Sequence, residues 1–167
     1  VLQSRYSYDK HLEIGIDFKN PVIIPNAVDP AIFHCCNRVC PPDGKRKIKL
    51  IASSWSDNPR KGGTVYKWIE DNLDWNKYEF TFVGRAKEKF ARINHLPACP
   101  SMELAEILRQ HDIYITASQD DPCSNSLLEA LSCGIPAVFL QSGGHPELVK
   151  GAGVGFKFKE EAIQAIE

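Results

Sequence analysis

Residues 117–149 read ASQDDPCSNSLLEALSCGIPAVFLQSGGHPELV, and the order of signals in this stretch decides the fold. A polar turn through Asp120, Asp121 and Pro122 opens an apolar helix, expected over Asn125 to Cys133. Gly134 closes that helix and Pro136 follows just beyond it. Ala137 to Leu140 reads as a buried strand, and Gly143-Gly144 as a loop. A short helix, Pro146 to Lys150, ends at Gly151. Just upstream, Asp112 to Thr116 is an apolar run of strand length. The stretch is therefore strand, helix, strand, helix. Two carboxylates, Asp121 and Glu129, stand with seven residues between them. One falls at a strand end and the other on the first turns of the next helix. Both can face one crevice, with bare helix-start N–H groups between them. Such a crevice suits a sugar attached to a diphosphate: hydroxyls need carboxylate acceptors, and phosphates need N–H donors and positive charge.

The same alternation continues outward. Lys47 to Ser53 and Tyr78 to Val83 read as strands, the second ending at Gly84. Thr64 to Leu73 reads as a helix with Val65, Trp68, Ile69 and Leu73 inward. Ser101 to His111 is a helix with Ser101 as N-cap, Glu103 in its first turn and the stripe Leu104, Ile107 and Leu108. Val154 to Phe158 is a strand, and Glu160 opens a last helix. Strands that are continuous apolar runs, alternating with helices, predict an α/β fold. Its core is a doubly wound, Rossmann-like parallel sheet covered on both faces. Ligands of such sheets bind beyond the strand C-terminal ends. Ser53 to Lys61, Gly84-Arg85, Ser118 to Ser126 and Gln141 to Glu147 all fall there. Residues 47–167 form this domain. Residues 1–46 differ: a helix over Leu2 to Leu12, a strand at Val22 to Ile24 and a turn-rich Pro41-Pro42-Asp43-Gly44. They read as a hinge or linker and the edge of a preceding domain, in a chain cut from a longer protein.

Composition excludes several classes. With 43% hydrophobic and 25% charged residues and a formal net charge of −1, the chain is an ordinary globular domain without a basic field for nucleic acid. The short basic run at Lys45-Arg46-Lys47 and Lys49 reads as a solvated loop and strand edge. No apolar stretch approaches the ~20 residues of a membrane span, and no signal-like segment opens the chain. Six cysteines with no CxxC pairing point to free thiols in a reducing, cytoplasmic setting. His34, Cys35, Cys36 and Cys40 fit no common zinc frame, so no metal is expected. Cys123 stands near a helix start, a place that lowers a thiol pKa, but has no His partner beside it. No G-x-G-x-x-G follows a strand, which argues against a dinucleotide dehydrogenase.

Five segments in order resemble the C-terminal, nucleotide-sugar-binding domain of retaining GT-B glycosyltransferases of family 4. Val22 to Asp29 (VIIPNAVD) resembles the family's "vipNGVD" hinge, with Ala27 in place of Gly. Asn58 to Gly62 (NPRKG) is similar to its phosphate loop, and Phe82-Val83-Gly84 to its "fvG" strand end. Asp121 to Glu129 resembles E-x7-E, and Gly143 to Glu147 resembles "GGxxE". The resemblance implies one half of a GT-B architecture. It gives Lys61, with Arg60 and Gly62 beside it, to the diphosphate. Backbone N–H groups at Ser124, Asn125, Ser126 and Leu127 would cap the phosphates, alongside or instead of ordinary side-chain N-capping. Glu129 would hold the ribose hydroxyls, and Asp121 the donor-sugar hydroxyls. An Asx-type turn is the rival reading for Asp121, and Asp120 is its rival in register. Gly84 and Leu96 mark the loops toward the base. Gly143 and Gly144 would let backbone approach the ligand, and Glu147 reads either as a site residue or as a first-turn helix acid. The departures are Asp121 for Glu, Ser56 where the family has Arg, and Cys123-Ser124 for Phe-Gly.

The expected function is binding of a nucleotide-diphosphate sugar for retaining transfer to an acceptor hydroxyl, with Asp121 and Lys61 as catalytic residues and no cofactor beyond the donor substrate. The acceptor, a glycan, lipid or protein, would sit on an N-terminal domain absent from this chain, and the isolated domain would transfer little. A non-catalytic sugar-nucleotide-binding module and an epimerase of the same fold are the alternatives. Peripheral membrane association of the longer parent stays open.

Overall fold

The computed structural model describes residues 1–38 and 46–167. Six parallel strands among them form one sheet: β1 (Ile48–Ser54), β2 (Tyr78–Gly84), β3 (Asn94–Leu96), β4 (Ile113–Thr116), β5 (Ala137–Leu140) and β6 (Gly153–Phe156). The helices are α1 (Arg5–Glu13), α2 (Gly63–Asn72), α3 (Ser101–Arg109), α4 (Asn125–Ser132), α5 (His145–Val149) and α6 (Ala162–Ile166). The sheet order is β3-β2-β1-β4-β5-β6. The chain winds outward from β1 to β3, returns to the middle and winds the other way from β4 to β6. The reversal between β1 and β4 is where such sheets leave a crevice. Here the two strands are in register at Leu50–Ile113 and Ile51–Tyr114. The register pairs stop there, short of the C-terminal ends at Ser53-Ser54 and Thr116.

Successive residues of each strand point to opposite faces, and both faces are covered. Leu50, Ala52, Phe80, Phe82, Ile115 and Val138 pack with Val65, Tyr66 and Ile69 of α2 and with Ala162 and Ile166 of α6. Ile51, Val83, Tyr114, Ala137 and Phe139 pack the other way, against Leu104 and Leu108 of α3, Leu127 and Ala130 of α4 and Val149 of α5. Double coverage is the reason these strands read as unbroken apolar runs.

Several expectations need correction. α3 begins at Ser101, but its N-cap is Pro100 in an extended conformation, with no side-chain cap. β4 begins at Ile113, one residue later than expected, because Asp112 is buried and occupied elsewhere. Its carboxylate accepts a fork from Arg46 (2.7 and 2.9 Å) and the Lys49 N–H (2.8 Å). Burial opposes that charge, but these donors outweigh it and hold the Asp112 pKa below the usual range. Arg46 is thereby tied down, not solvated. Val22 to Ile24 is not a strand but a single bridge, Leu2 to Ile23, with Val22 and Ile24 exposed. The last strand stops at Phe156, its final pair with Leu140, and leaves Phe158 exposed. A 3-10 turn at Lys159–Glu161 precedes α6. β3 was not anticipated, since Asn94-His95-Leu96 carries no apolar run. The Pro41 to Gly44 turn, Cys40 and Lys45 lie outside the described residues.

Candidate functional site

A crevice of about 270 Å³ opens at the switch point. It is lined from the β1 side by Ser53, Ser54, Trp55, Ser56 and Lys61, and from the β4 side by Thr116, Ser118, Asp121 and Cys123 to Ser126, with Tyr66 between. Local chemistry places each part. Asn58 caps a 3-10 turn, Pro59–Lys61, by accepting from the Arg60 N–H (2.9 Å), and the turn ends at Gly62 with φ +84°. A Cβ at Gly62 would stand 2.5 Å from that of Ala117. Only glycine lets the Asn58–Gly62 segment close this far onto the end of β4. Gln119 N–H to the Arg60 carbonyl (2.8 Å) completes the join.

That closure brings the two expected catalytic residues together. Lys61 Nζ donates to Asp121 Oδ2 at 2.9 Å, with the lysine side chain 39% and the carboxylate 13% exposed. The other oxygen, Oδ1, accepts from the Cys123 N–H at 3.3 Å. The Asx-type turn is therefore present, and it aims the remaining oxygen into the crevice. Asp120, the rival in register, is turned away. It sits at φ +54°, and its carboxylate meets the Tyr6 hydroxyl (2.8 Å) and, at 3.5 Å, Arg60. Arg60 accordingly lines a neighbouring groove with Tyr6, Lys10 and His11 of α1 rather than the crevice.

Helix α4 points its start at the same space. Ser124 is its N-cap but makes no capping bond with its side chain; its Oγ lies 3.1 Å from Ser126 Oγ. Ordinary side-chain capping is thus not what occupies the first N–H groups of Asn125, Ser126 and Leu127. Leu127 contributes backbone alone here, its side chain being fully buried. The turn before α4 is braced by Asn26, whose side chain donates to Asn125 Oδ1 (2.7 Å) and the Cys123 carbonyl (3.3 Å). The Asn26 N–H donates to Cys123 Sγ (3.3 Å). Burial pushes the Cys123 thiol up, opposite to the helix-start expectation.

Glu129 lies one turn into α4 and is not among the crevice-lining residues. Its Oε2 is buried without a hydrogen-bond partner, and burial pushes its pKa up to about 7. Gly84 ends β2 against the Ser54 carbonyl, which accepts from the Arg85 N–H (2.8 Å). Leu96 pairs with Val83 and packs against the core. Neither lines the crevice.

The second glycine loop packs against the Asp121 turn. Gly143 has φ +62°, and a Cβ there would collide with the Asp121 carbonyl; Gly144 N–H donates to that carbonyl (2.9 Å). The loop braces the Asp121 turn. Glu147 caps α1 with both oxygens, accepting from the Arg5 (2.9 Å) and Tyr6 (3.0 Å) N–H groups. Trp55, Ser118 and Tyr66 line the crevice and Asn26 braces its frame; none is given a role from sequence, although Asn26 stands in the quoted VIIPNAVD segment. Trp55 and Ser118 did fall within the loops that follow strand C-terminal ends.

Among the described residues no group of three or more His, Cys, Asp or Glu side chains is gathered to hold a metal ion. None of their helices is long and apolar enough to cross a membrane, and their five cysteines are free.

The family model of the glycosyl transferases group 1 matches residues 75–167. A probable sucrose-phosphate synthase of Thermosipho melanesiensis is 22% identical, the match covering 97% of this chain and 44% of that protein. The structure of sucrose-phosphate synthase from Thermosynechococcus elongatus superposes with a TM-score of 0.78 at 14% identity, over 99% of this chain and 47% of that one. HepE from Anabaena, solved with UDP and glucose, gives 0.76 at 18%, over 99% and 51%. The chain thus spans about half the length of these relatives, and its fold is the Rossmann-like half of a GT-B architecture. Matched by its family model over more than half its length, the chain belongs to the glycosyl transferases of group 1.

Proposed function

We propose that this domain binds a nucleoside-diphosphate sugar and holds the leaving diphosphate while an acceptor hydroxyl attacks with retention at the sugar carbon. The observation that carries the reading is the Lys61–Asp121 pair, 2.9 Å apart, set at the switch point in front of the α4 start. A leaving nucleoside diphosphate gains negative charge as the glycosidic bond breaks. Lys61 and the α4 N–H groups meet that charge, and they favour the transition state because they are already in place. Donor binding would draw Lys61 from Asp121 toward phosphate and release Oδ2 to accept a donor-sugar hydroxyl. Glu129, whose buried oxygen lacks a donor, would take the ribose hydroxyls. HepE was solved with UDP and glucose, which supports a nucleotide-sugar ligand for this fold. The acceptor is assigned to a second domain, since the relatives are about twice as long.

The test is sugar transfer by the longer polypeptide carrying Asp121→Ala. Nucleotide affinity should survive, and turnover should fall at least ~10²-fold because sugar positioning is lost. Asp120→Ala, whose carboxylate faces away, should be mild. Unchanged turnover in Asp121→Ala would remove that residue from the reaction. A parent that binds nucleotide sugar and transfers nothing would make the domain a binding module.

A further inference from the structure

Of the two aromatic residues lining the crevice, Tyr66 is 2% exposed and forms the floor. Its hydroxyl accepts from the Ala117 N–H at 3.1 Å. Trp55 differs. It directly follows β1 and stands 46% exposed at the crevice wall. A large aromatic ring held open beside ionic groups offers a flat apolar face that a ligand in the crevice can cover.

A second oddity lies across the switch point. Ser118, two residues past β4, is 5% exposed, and its Oγ has no hydrogen-bond partner. It lines the same crevice. Buried hydroxyls are almost always paired in folded proteins, so an orphan in a residue that lines a crevice marks a place where a ligand atom can complete the bond.

We propose that Trp55 and Ser118 form a sugar subsite. The C–H face of a pyranose would stack on the Trp55 indole, and one of its hydroxyls would pair with Ser118 Oγ. This rests on the donor-binding reading above and adds to it the residues that select the sugar. The ring is a sugar rather than a base because of where Trp55 sits. It shares the crevice with Asp121 and Lys61. It does not line the neighbouring small cleft that leads past Phe82 toward Arg85, on the side assigned to the base. The remaining wall is rich in hydroxyls, with Ser53, Ser54 and Thr116 below. Such a wall can match a polyhydroxylated ring but gives it no apolar footing. Trp55 supplies that footing.

The chain's own fluorescence gives the test. Its other two tryptophans, Trp68 and Trp75, are partly buried against the core, so quenching by a crevice ligand reports on Trp55. The 167-residue chain is titrated with UDP and UDP-glucose, GDP and GDP-mannose, and ADP and ADP-glucose, and affinities are read in parallel by calorimetry. For the base that binds, the nucleotide sugar should quench wild type more than the nucleotide does. Trp55→Leu should remove that quench. It should weaken nucleotide-sugar binding about 5–10-fold, the scale of uncovering some tens of Å² of apolar contact, while nucleotide binding holds. Trp55→Phe should keep most of the affinity, and Ser118→Ala should also weaken the nucleotide sugar selectively. Equal losses for nucleotide and nucleotide sugar, or a Trp55→Leu variant that binds both like wild type, would overturn the subsite. Failure of the wild type to bind any of these nucleotides would instead overturn the donor-binding reading, and the subsite with it.

Discussion

At the residue scale the most consequential group is Glu129. A carboxylate with a buried, unpartnered oxygen is held against its charge by desolvation alone, and its folded pKa rises from 4.5 to about 7. The folded state therefore binds this proton more tightly than the unfolded chain does. Stability contributed at low pH is lost as pH climbs from about 4.5 to about 7, and the deficit then stays constant. Glu129→Gln removes the titration. In the ligand-free domain it should raise stability by about 1–3 kcal/mol above pH 7 and change little at pH 4. Denaturant melts of both proteins across this range check it; parallel pH profiles would mean the group is solvated in the folded state. Lys61 and Asp121 show the opposite solution, in which each charge is answered by the other. The sequence favours Asp121 over its rival Asp120, but the physical basis for their different directions, Asp121 on the crevice and Asp120 off it, was not legible there. The difference is made by a left-handed φ at Asp120 and by its contacts to Tyr6 and the Ser142 hydroxyl, the latter accepting from the Asp120 N–H at 3.0 Å.

At the element scale, long-range carboxylate contacts fix pieces that local propensity does not specify. Glu70, on the inner face of α2 with its side chain 1% exposed, pairs with Lys67 at 2.8 Å. Its Oε1 gathers the N–H groups of Ala91, Arg92 and Ile93 at 2.8, 2.6 and 2.9 Å. Burial opposes the charge, but Lys67 and these three donors outweigh it and bring the pKa down to about 2. The contribution is complete above the ordinary value near 4.5 and fades as pH falls toward about 2. Glu70→Gln should cost about 2–3 kcal/mol at pH 7, with the difference from wild type closing at acid pH. Amide exchange should quicken first at 91–93 and in β3. A uniform loss of protection would contradict the local clamp. This explains why β3 escaped sequence reading: Asn94-His95-Leu96 owes its place to the β2 edge and to Glu70. The apolar runs of β1, β2, β4 and β5 were legible because burial on both faces leaves a continuous hydrophobic signature. The docking of α1 was not, since its cap, Glu147, is 142 residues from Arg5.

At the scale of the whole molecule, the sheet order places the ends of β1 and β4 side by side, and every loop of the crevice follows from that one reversal. Strand C-terminal ends were readable in advance, so the loops were found. Their side-chain directions were not: Arg60 turns toward Asp120 and α1 and away from the crevice, drawn by contacts from outside its own loop. The relatives are about twice as long, and under the proposed function the remaining ligand contacts would come from a second domain, so this half alone is expected to bind with only modest affinity. The most direct measurement is calorimetric titration of the 167-residue chain and its Lys61→Ala variant with UDP, GDP and ADP, and with the matching nucleosides. At least one diphosphate should bind wild type with Kd of roughly 10 µM to 1 mM, and Lys61→Ala should weaken it about 10–100-fold with nucleoside binding unchanged. No binding of any diphosphate at millimolar concentration, or a Lys61→Ala variant that binds as wild type does, would contradict the account.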